Sequence, residues 1–306
     1  MIKTKKRKPL FRGAATALIT PFGRDGEVDY GAMERLIRAQ LDAGVAALVV
    51  NGTTGEPGAL SDAERRKSIA LAARIAGGIV PVIAGAGSNC TKTAVRLTRE
   101  AADSGADAVL SVLPYYGKAT REGLTEHFAA IADASSLPVI VYNVPSRTGM
   151  KFPLGAARKI FSHPKITALK EAESDAADIM RLMTRLPEDT AVYCGSDELI
   201  APMLAMGAQG VISVASNIFP RMVVRICDAF FRGDNAQCVK LQKALSGFSE
   251  RLFGEVNPVL VKLIMSQLGM CENVMRLPLK AVRAEKYSSL LSSYFKTAAS
   301  EAECAL

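Results

Sequence analysis

The sequence predicts an α/β fold, a (β/α)8 or TIM barrel followed by a small C-terminal helical domain. Three observations carry this. Eight short, apolar, β-branched runs recur at even spacing over about 200 residues, as eight strand–helix units would. Most of these runs are continuously apolar rather than alternating, which suits parallel strands covered on their outer face. After residue 233 the strand signals stop and only helical patterns follow.

In chain order, the predicted strands are GAATALITP (13–21), ALVVNGTTG (47–55), VPVIAGAG (80–87) and AVLSVLPYY (108–116). PVIVYNVP (138–145), ITALKEA (166–172), TAVYCGSD (190–197) and GVISVAS (210–216) complete the set. Between the strands, Met33, Leu36, Ile37 and Leu41 share one helical face, and Leu124, Phe128 and Ile131 form another. Ser61 and Glu64 make a capping-box pattern ahead of IALAARIA. In DAGVAALVV and DSGADAVL a glycine stands where a helix must end before the next strand. An open doubly wound sheet is the rival arrangement; eight even units favour closure. The stretches DNAQCVKLQKALSGFSERL, NPVLVKLIMSQLG and PLKAVRAEKYSSLLSSYFKTAAS read as helices, so residues 1–233 are assigned to the barrel and 234–306 to the helical domain.

The net charge of +8 is unevenly placed. Six basic and no acidic residues lie in MIKTKKRKPLFR, residues 1–12, leaving the rest of the chain near +2. The basic character belongs to a terminal arm, read as solvated and frayed, and implies neither a nucleic-acid nor a membrane partner. Lysines followed by GAATALIT resemble the start of a secretory signal. That segment is needed as the first strand, which argues against its removal. No apolar run is long enough to span a bilayer. Cys90, Cys194, Cys227, Cys238, Cys271 and Cys304 form no C-x-x-C pair and no disulfide or zinc framework, which suits a reducing cytoplasm. The two histidines, His127 and His163, are too few for a histidine metal cluster and read as structural.

Barrel enzymes work at the C-terminal ends of their strands. The polar residues there are Thr53 and Thr54 on strand two, Tyr115 and Tyr116 on strand four, Tyr142 and Arg147 on or after strand five, and Lys170 on strand six; C-G-S-D closes strand seven. The set lacks a pair of acids, a Ser-His-Asp combination and a metal-ligand cluster. It offers an amine, phenols, hydroxyls and a guanidinium. An amine in a desolvated pocket loses its proton more readily and becomes nucleophilic, which suits a Schiff base with a carbonyl substrate. A phenol can carry the protons of imine formation, and a guanidinium can grip a carboxylate. The bland reading pairs Lys170 with Glu173 and leaves the remaining side chains to turns and packing. G-A-G-S-N (85–89) is either an anion-binding helix start or a glycine-permitted turn.

G-T-T-G-E (52–56), Y-N-V-P-S-R-T-G (142–149) and the lysine of L-K-E-A (169–172) resemble the dihydrodipicolinate synthase family of class I, pyruvate-dependent aldolases. The resemblance runs from GAATALITPF to RLPL. It implies condensation of pyruvate with aspartate semialdehyde on the diaminopimelate route to lysine, with no metal or organic cofactor. Lys170 would form the Schiff base, Tyr142 would shuttle protons, and Thr53 would link Tyr142 to Tyr116 of a neighbouring subunit. Thr54 would hold the pyruvate carboxylate and Arg147 that of aspartate semialdehyde, with Gly195 and Ile212 lining the site through their backbone. A homotetramer built from two tight dimers is implied. Relatives acting on sialic acid or 2-keto-3-deoxy sugar acids are the alternative; they differ around the position of Arg147. A non-catalytic barrel that binds through its basic arm is the reading from another class.

One departure stands out. Lysine-inhibited members have an effector site that Asn89 and Tyr115 match here. Thr93 occupies its acidic position, and Asp62 and Arg65 its histidine-type positions. Without a carboxylate for the ligand ammonium, weak or absent lysine inhibition is expected.

Overall fold

The computed structural model describes residues 7–303. Eight parallel strands close into a barrel in sequence order: β1 Gly13–Ala17, β2 Ala47–Val50, β3 Val82–Gly85, β4 Ala108–Val112, β5 Val139–Asn143, β6 Ile166–Glu171, β7 Ala191–Cys194 and β8 Gly210–Ser213. The helices are α1 Tyr30–Asp42, α2 Asp62–Ala76, α3 Thr91–Asp103, α4 Arg121–Ala134, the single turn α5 Pro145–Thr148, α6 Leu154–Phe161, α7 Ala176–Met183, α8 Ile200–Ala205, α9 Pro220–Phe231, α10 Asn235–Leu252, α11 Val259–Gln267 and α12 Ser288–Glu303.

All eight predicted strands form, each shorter than its apolar run. The run continues past the last ladder bond because the following loop is also buried. After β2, for example, Asn51 and Thr54 are as enclosed as the strand itself. Ser61 and Glu64 cap α2 reciprocally, and Gly44 and Gly105 take the left-handed backbone (φ 80° and 88°) after α1 and α3.

Inward-facing Ala15, Val49, Ile83, Leu110, Ile140 and Ala168 fill the barrel. Phe11 closes its N-terminal end, stacked on Tyr193 at 4.0 Å. The Tyr193 hydroxyl accepts from the Phe11 amide (3.2 Å) and donates to the Phe11 carbonyl (3.0 Å). A second cluster lies between the strands and α1–α6, and a third joins β7, β8, α8 and α9 to α10, α11 and α12.

Two expectations are corrected. The basic arm does not fray at Arg7: its guanidinium pairs with Asp189 at 2.8 Å and donates to the carbonyls of Phe161, His163 and Ile166. Residues 1–6, and Cys304, lie outside the described residues. Residues 278–283 are not helical, and α12 begins only at Ser288. Just before that segment Arg276 bonds the carbonyls of Gly26 and Ala59 and the carboxylate of Glu64, which ties the chain across the barrel rim instead of letting it coil.

The glycines of G-A-G-S-N serve packing. A Cβ on Gly85 would lie 2.0 Å from the Asn51 carbonyl oxygen, and one on Gly87 2.4 Å from the Val112 nitrogen. His127 bonds Thr91 at 2.8 Å and His163 meets Asp133 at 3.0 Å.

The α11 helix carries a fully buried Lys262, whose ammonium pairs with Glu56, donates to the Val274 carbonyl at 3.0 Å and sits over the Phe22 ring. Burying an ion pair is costly, but stranding one member costs more. Lys262→Met should therefore lower unfolding stability by ~3–5 kcal/mol, measured by urea denaturation. Glu56→Gln in the same chain should recover a large part of that loss.

Candidate active site

At the C-terminal mouth of the barrel, β5 and β6 pair in the register Tyr142↔Lys170 and Asn143↔Glu171. Side chains alternate along a strand, so Tyr142 and Lys170 turn inward together. Both are buried, and the Lys170 amine lies 4.3 Å from the centre of the Tyr142 ring. They line a cavity of about 250 Å3 with Thr53, Thr54, Arg147 and Gly195. Gly195 follows β7, where a Cβ would come within 3.1 Å of the Lys170 Cε and 2.8 Å of the Ala172 Cβ. The missing side chain makes room for the lysine stem.

Thr53 and Thr54 are held in a 3-10 turn after β2. Thr53 lines the cavity beside Tyr142 and acts on its phenol, favouring the ionised form. The Thr54 hydroxyl accepts from Asn257 Nδ2 at 3.0 Å. Arg147 stands on the α5 turn at the rim, exposed; its amide donates to the Val144 carbonyl at 3.0 Å, while its guanidinium makes no hydrogen bond or ion pair with a described residue.

Burial disfavours charge on this amine and on the phenol. It lowers Lys170 to about 8, with Arg147 adding to the fall and Asp197 opposing it. It raises Tyr142 to about 12, against the pull of Arg147 and Thr53. Glu171, one residue after the lysine, is pushed up to about 7 by burial. At pH 7 a lysine with this pKa is about 10% neutral, against roughly 0.03% for an ordinary one. The amine is therefore mostly charged at neutral pH, yet it carries about 300 times the usual share of nucleophile.

A profile described as the dihydrodipicolinate synthetase family matches residues 10–296. A 4-hydroxy-tetrahydrodipicolinate synthase of Alkaliphilus oremlandii is 42% identical over 287 residues, covering 94% of this chain and 99% of that one. The chain belongs to the dihydrodipicolinate synthetase family. Two solved structures of family members superpose closely. The 4-hydroxy-tetrahydrodipicolinate synthase of Methylacidiphilum fumariolicum SolV has a TM-score of 0.92 at 35% identity, covering 96% of this chain and 98% of that one. The chloride-inhibited synthase of Acinetobacter baumannii, complexed with pyruvate, has a TM-score of 0.91 at 36% identity, covering 94% and 99%.

Six of the eight site residues carried over from the family motifs line the one cavity: Lys170, Tyr142, Thr53, Thr54, Arg147 and Gly195. Ile212 lies on β8 in the packed barrel interior, and Val214, two residues on, reaches the cavity wall. Tyr116 is 94% exposed with φ 68° and stays outside the cavity of its own chain. Glu173 does not pair with Lys170; its carboxylate accepts from the amides of Ser174 and Asp175.

Sequence reasoning missed Asn257, which arrives from the helical segment and gives no local signal of a role at the site. It also left Asp197 of C-G-S-D without a role. That buried carboxylate accepts from the Ser213 hydroxyl and from the amides of Val214 (3.1 Å) and Ala215 (2.9 Å), fixing the loop after β8.

The lowered lysine gives a direct test. Acetylation of Lys170 by acetic anhydride, followed by peptide mass spectrometry, should rise about tenfold per pH unit and level off near pH 8. Exposed lysines should keep rising to above pH 10. A Lys170 profile identical to theirs would contradict the assignment.

Proposed function

We propose that this protein is a lyase that condenses pyruvate with aspartate semialdehyde to 4-hydroxy-tetrahydrodipicolinate through a Schiff base on Lys170, with release of water. The observation that carries the reading is the buried, pKa-lowered Lys170 amine set against Tyr142 in a cavity that also holds two threonine hydroxyls and a free guanidinium. The family relatives and the pyruvate-bound neighbour agree with it.

On this reading the neutral amine attacks the pyruvate ketone and the carbinolamine loses water to give the imine. Loss of a methyl proton gives an enamine, whose carbon attacks the aldehyde. The amine of the incoming substrate then closes the ring and displaces Lys170. Tyr142 moves the protons, because its raised pKa keeps it a neutral donor that Thr53 can resupply. Thr54, oriented by Asn257, binds the pyruvate carboxylate. Arg147 takes the second carboxylate at the rim, which favours a short acidic aldehyde over a long polyol. Gly195 lines the site through its backbone, and Val214, two residues past Ile212, forms the wall after β8.

The exposed Tyr116, held outside its own cavity, would complete the hydroxyl relay of a neighbouring copy in a homotetramer built as a pair of dimers. Residues 1–233 carry the chemistry. The segment from 234 onward, assigned to a helical domain, would support it through Gln242, Asn257 and Lys262. The five described cysteines are unpaired, in keeping with a cytoplasmic setting.

In a coupled assay with pyruvate and aspartate semialdehyde, the wild type should turn over and Lys170→Ala should not. Borohydride with pyruvate should fix a three-carbon adduct on the Lys170 peptide; an adduct on another lysine would sink the assignment. Arg147→Ala should raise KM for aspartate semialdehyde about 10- to 100-fold, the loss of a charge-assisted bond worth ~1.5–3 kcal/mol, with little change for pyruvate.

Lysine should inhibit weakly or not at all. Arg65 donates to the carbonyls of Pro57 and Gly85, and it lines a neighbouring cavity of about 440 Å3 with Tyr115, where its positive charge repels an ammonium. A sub-millimolar inhibition constant would contradict this.

A further inference from the structure

On the outer face of β5 and β6, directly behind the reacting pair, lies a buried polar pair that the proposed chemistry does not use. Asn143 and Glu171 follow Tyr142 and Lys170 by one residue each, so they point away from the cavity. They are 3% and 1% exposed. The Asn143 amide donates to both carboxylate oxygens of Glu171, at 2.8 and 3.0 Å. The Glu173 amide donates to the same carboxylate at 2.7 Å. Backbone bonds extend the junction, from the Ala172 amide to the Asn143 carbonyl (2.9 Å) and from the Gly195 amide to the Glu171 carbonyl (2.7 Å). The ends of β5, β6 and β7 thus meet at this one pair.

The ladder beneath gives this junction a task. Val139 pairs with Ile166, but Ile140 pairs with Ala168, so the β5–β6 register shifts by one residue below the site. A one-residue slip turns a side chain to the opposite face of a sheet. Above such an irregularity, the lower ladder does not by itself fix Lys170 opposite Tyr142. Lys151, which lines the same outer pocket, is engaged with Asp178, leaving Glu171 to the Asn143 and Glu173 donors.

We propose that Asn143 and Glu171 are positioning residues, an outer clamp that secures the end of the short β5–β6 ladder above the irregularity and holds Tyr142 in proton-transfer reach of the Lys170 amine. The inference rests on the Schiff-base reading above. Truncating the clamp leaves the amine and the cavity in place but misaligns the phenol, so pyruvate capture survives while proton transfer slows.

The test uses the full-length protein, with KM for pyruvate, kcat, borohydride trapping and thermal unfolding measured side by side. Glu171→Ala and Asn143→Ala should each lower kcat at least 30-fold with pyruvate KM within threefold and the Lys170 adduct still formed. Glu171→Gln, isosteric and able to accept from Asn143, should bring kcat back to within fivefold of wild type. A folded Glu171→Ala with kcat within threefold of wild type overturns the clamp, as does a Glu171→Gln no better than the alanine variant. Should Glu171→Ala not fold, Glu171→Asp carries the test, since it withdraws the carboxylate by one methylene. A tenfold loss of kcat at unchanged pyruvate KM supports the clamp, and kcat within threefold overturns it. Failure of the wild type itself to form a pyruvate adduct overturns the Schiff-base reading instead.

Discussion

The pairing of β5 with β6 is the constraint on which the site depends. Tyr142 and Lys170 are distant in sequence and meet only because two parallel strands hold them in register. Parallel ladders fix relative height, and the pleat fixes the side from which each side chain emerges. The closed barrel then supplies a packed interior on one side of that ladder and helices on the other. Tyr142 and Lys170 face inward, and the Asn143–Glu171 pair faces outward, from the same two strands.

Burial does opposite things to neighbouring groups. It lowers Lys170 toward neutrality and raises Tyr142 away from ionisation, because in each case the charged form is the one that loses solvent. The outcome is an amine able to attack and a phenol able to donate. Asp197 keeps the lysine from falling further, while its own oxygens are committed to Ser213 and two amides. Hydroxyls and a guanidinium complete the wall.

The helical segment after the barrel is more than a lid on an apolar cluster. Asn257 holds Thr54, Lys262 holds Glu56, and Gln242 donates to the Asp197 carbonyl and accepts from the Ala201 amide. Two loops at the barrel mouth, those after β2 and β7, therefore take their shape from residues between 242 and 262. A perturbation of that segment reaches the site without touching the reacting atoms.

By itself, the sequence determined the eight-unit barrel, because each strand is a dense apolar run, each helix a period of its own, and the caps are local chemistry. It also determined which side chains stand at the strand ends, and the family motifs drew Lys170, Tyr142, Thr53, Thr54, Arg147 and Gly195 into one set. Tertiary structure decided the rest. Only the folded chain brings Asn257 to Thr54 and Lys262 to Glu56, contacts more than 200 residues apart that leave no periodic trace. Only the folded chain shows that Tyr116 and Ile212 stand off the cavity wall of their own chain, and that Arg7 is anchored by Asp189. Pattern records what a residue does to its own segment. The cost of leaving a buried amine or carboxylate without partners is met across segments, and only closure of the barrel decides which partners those are.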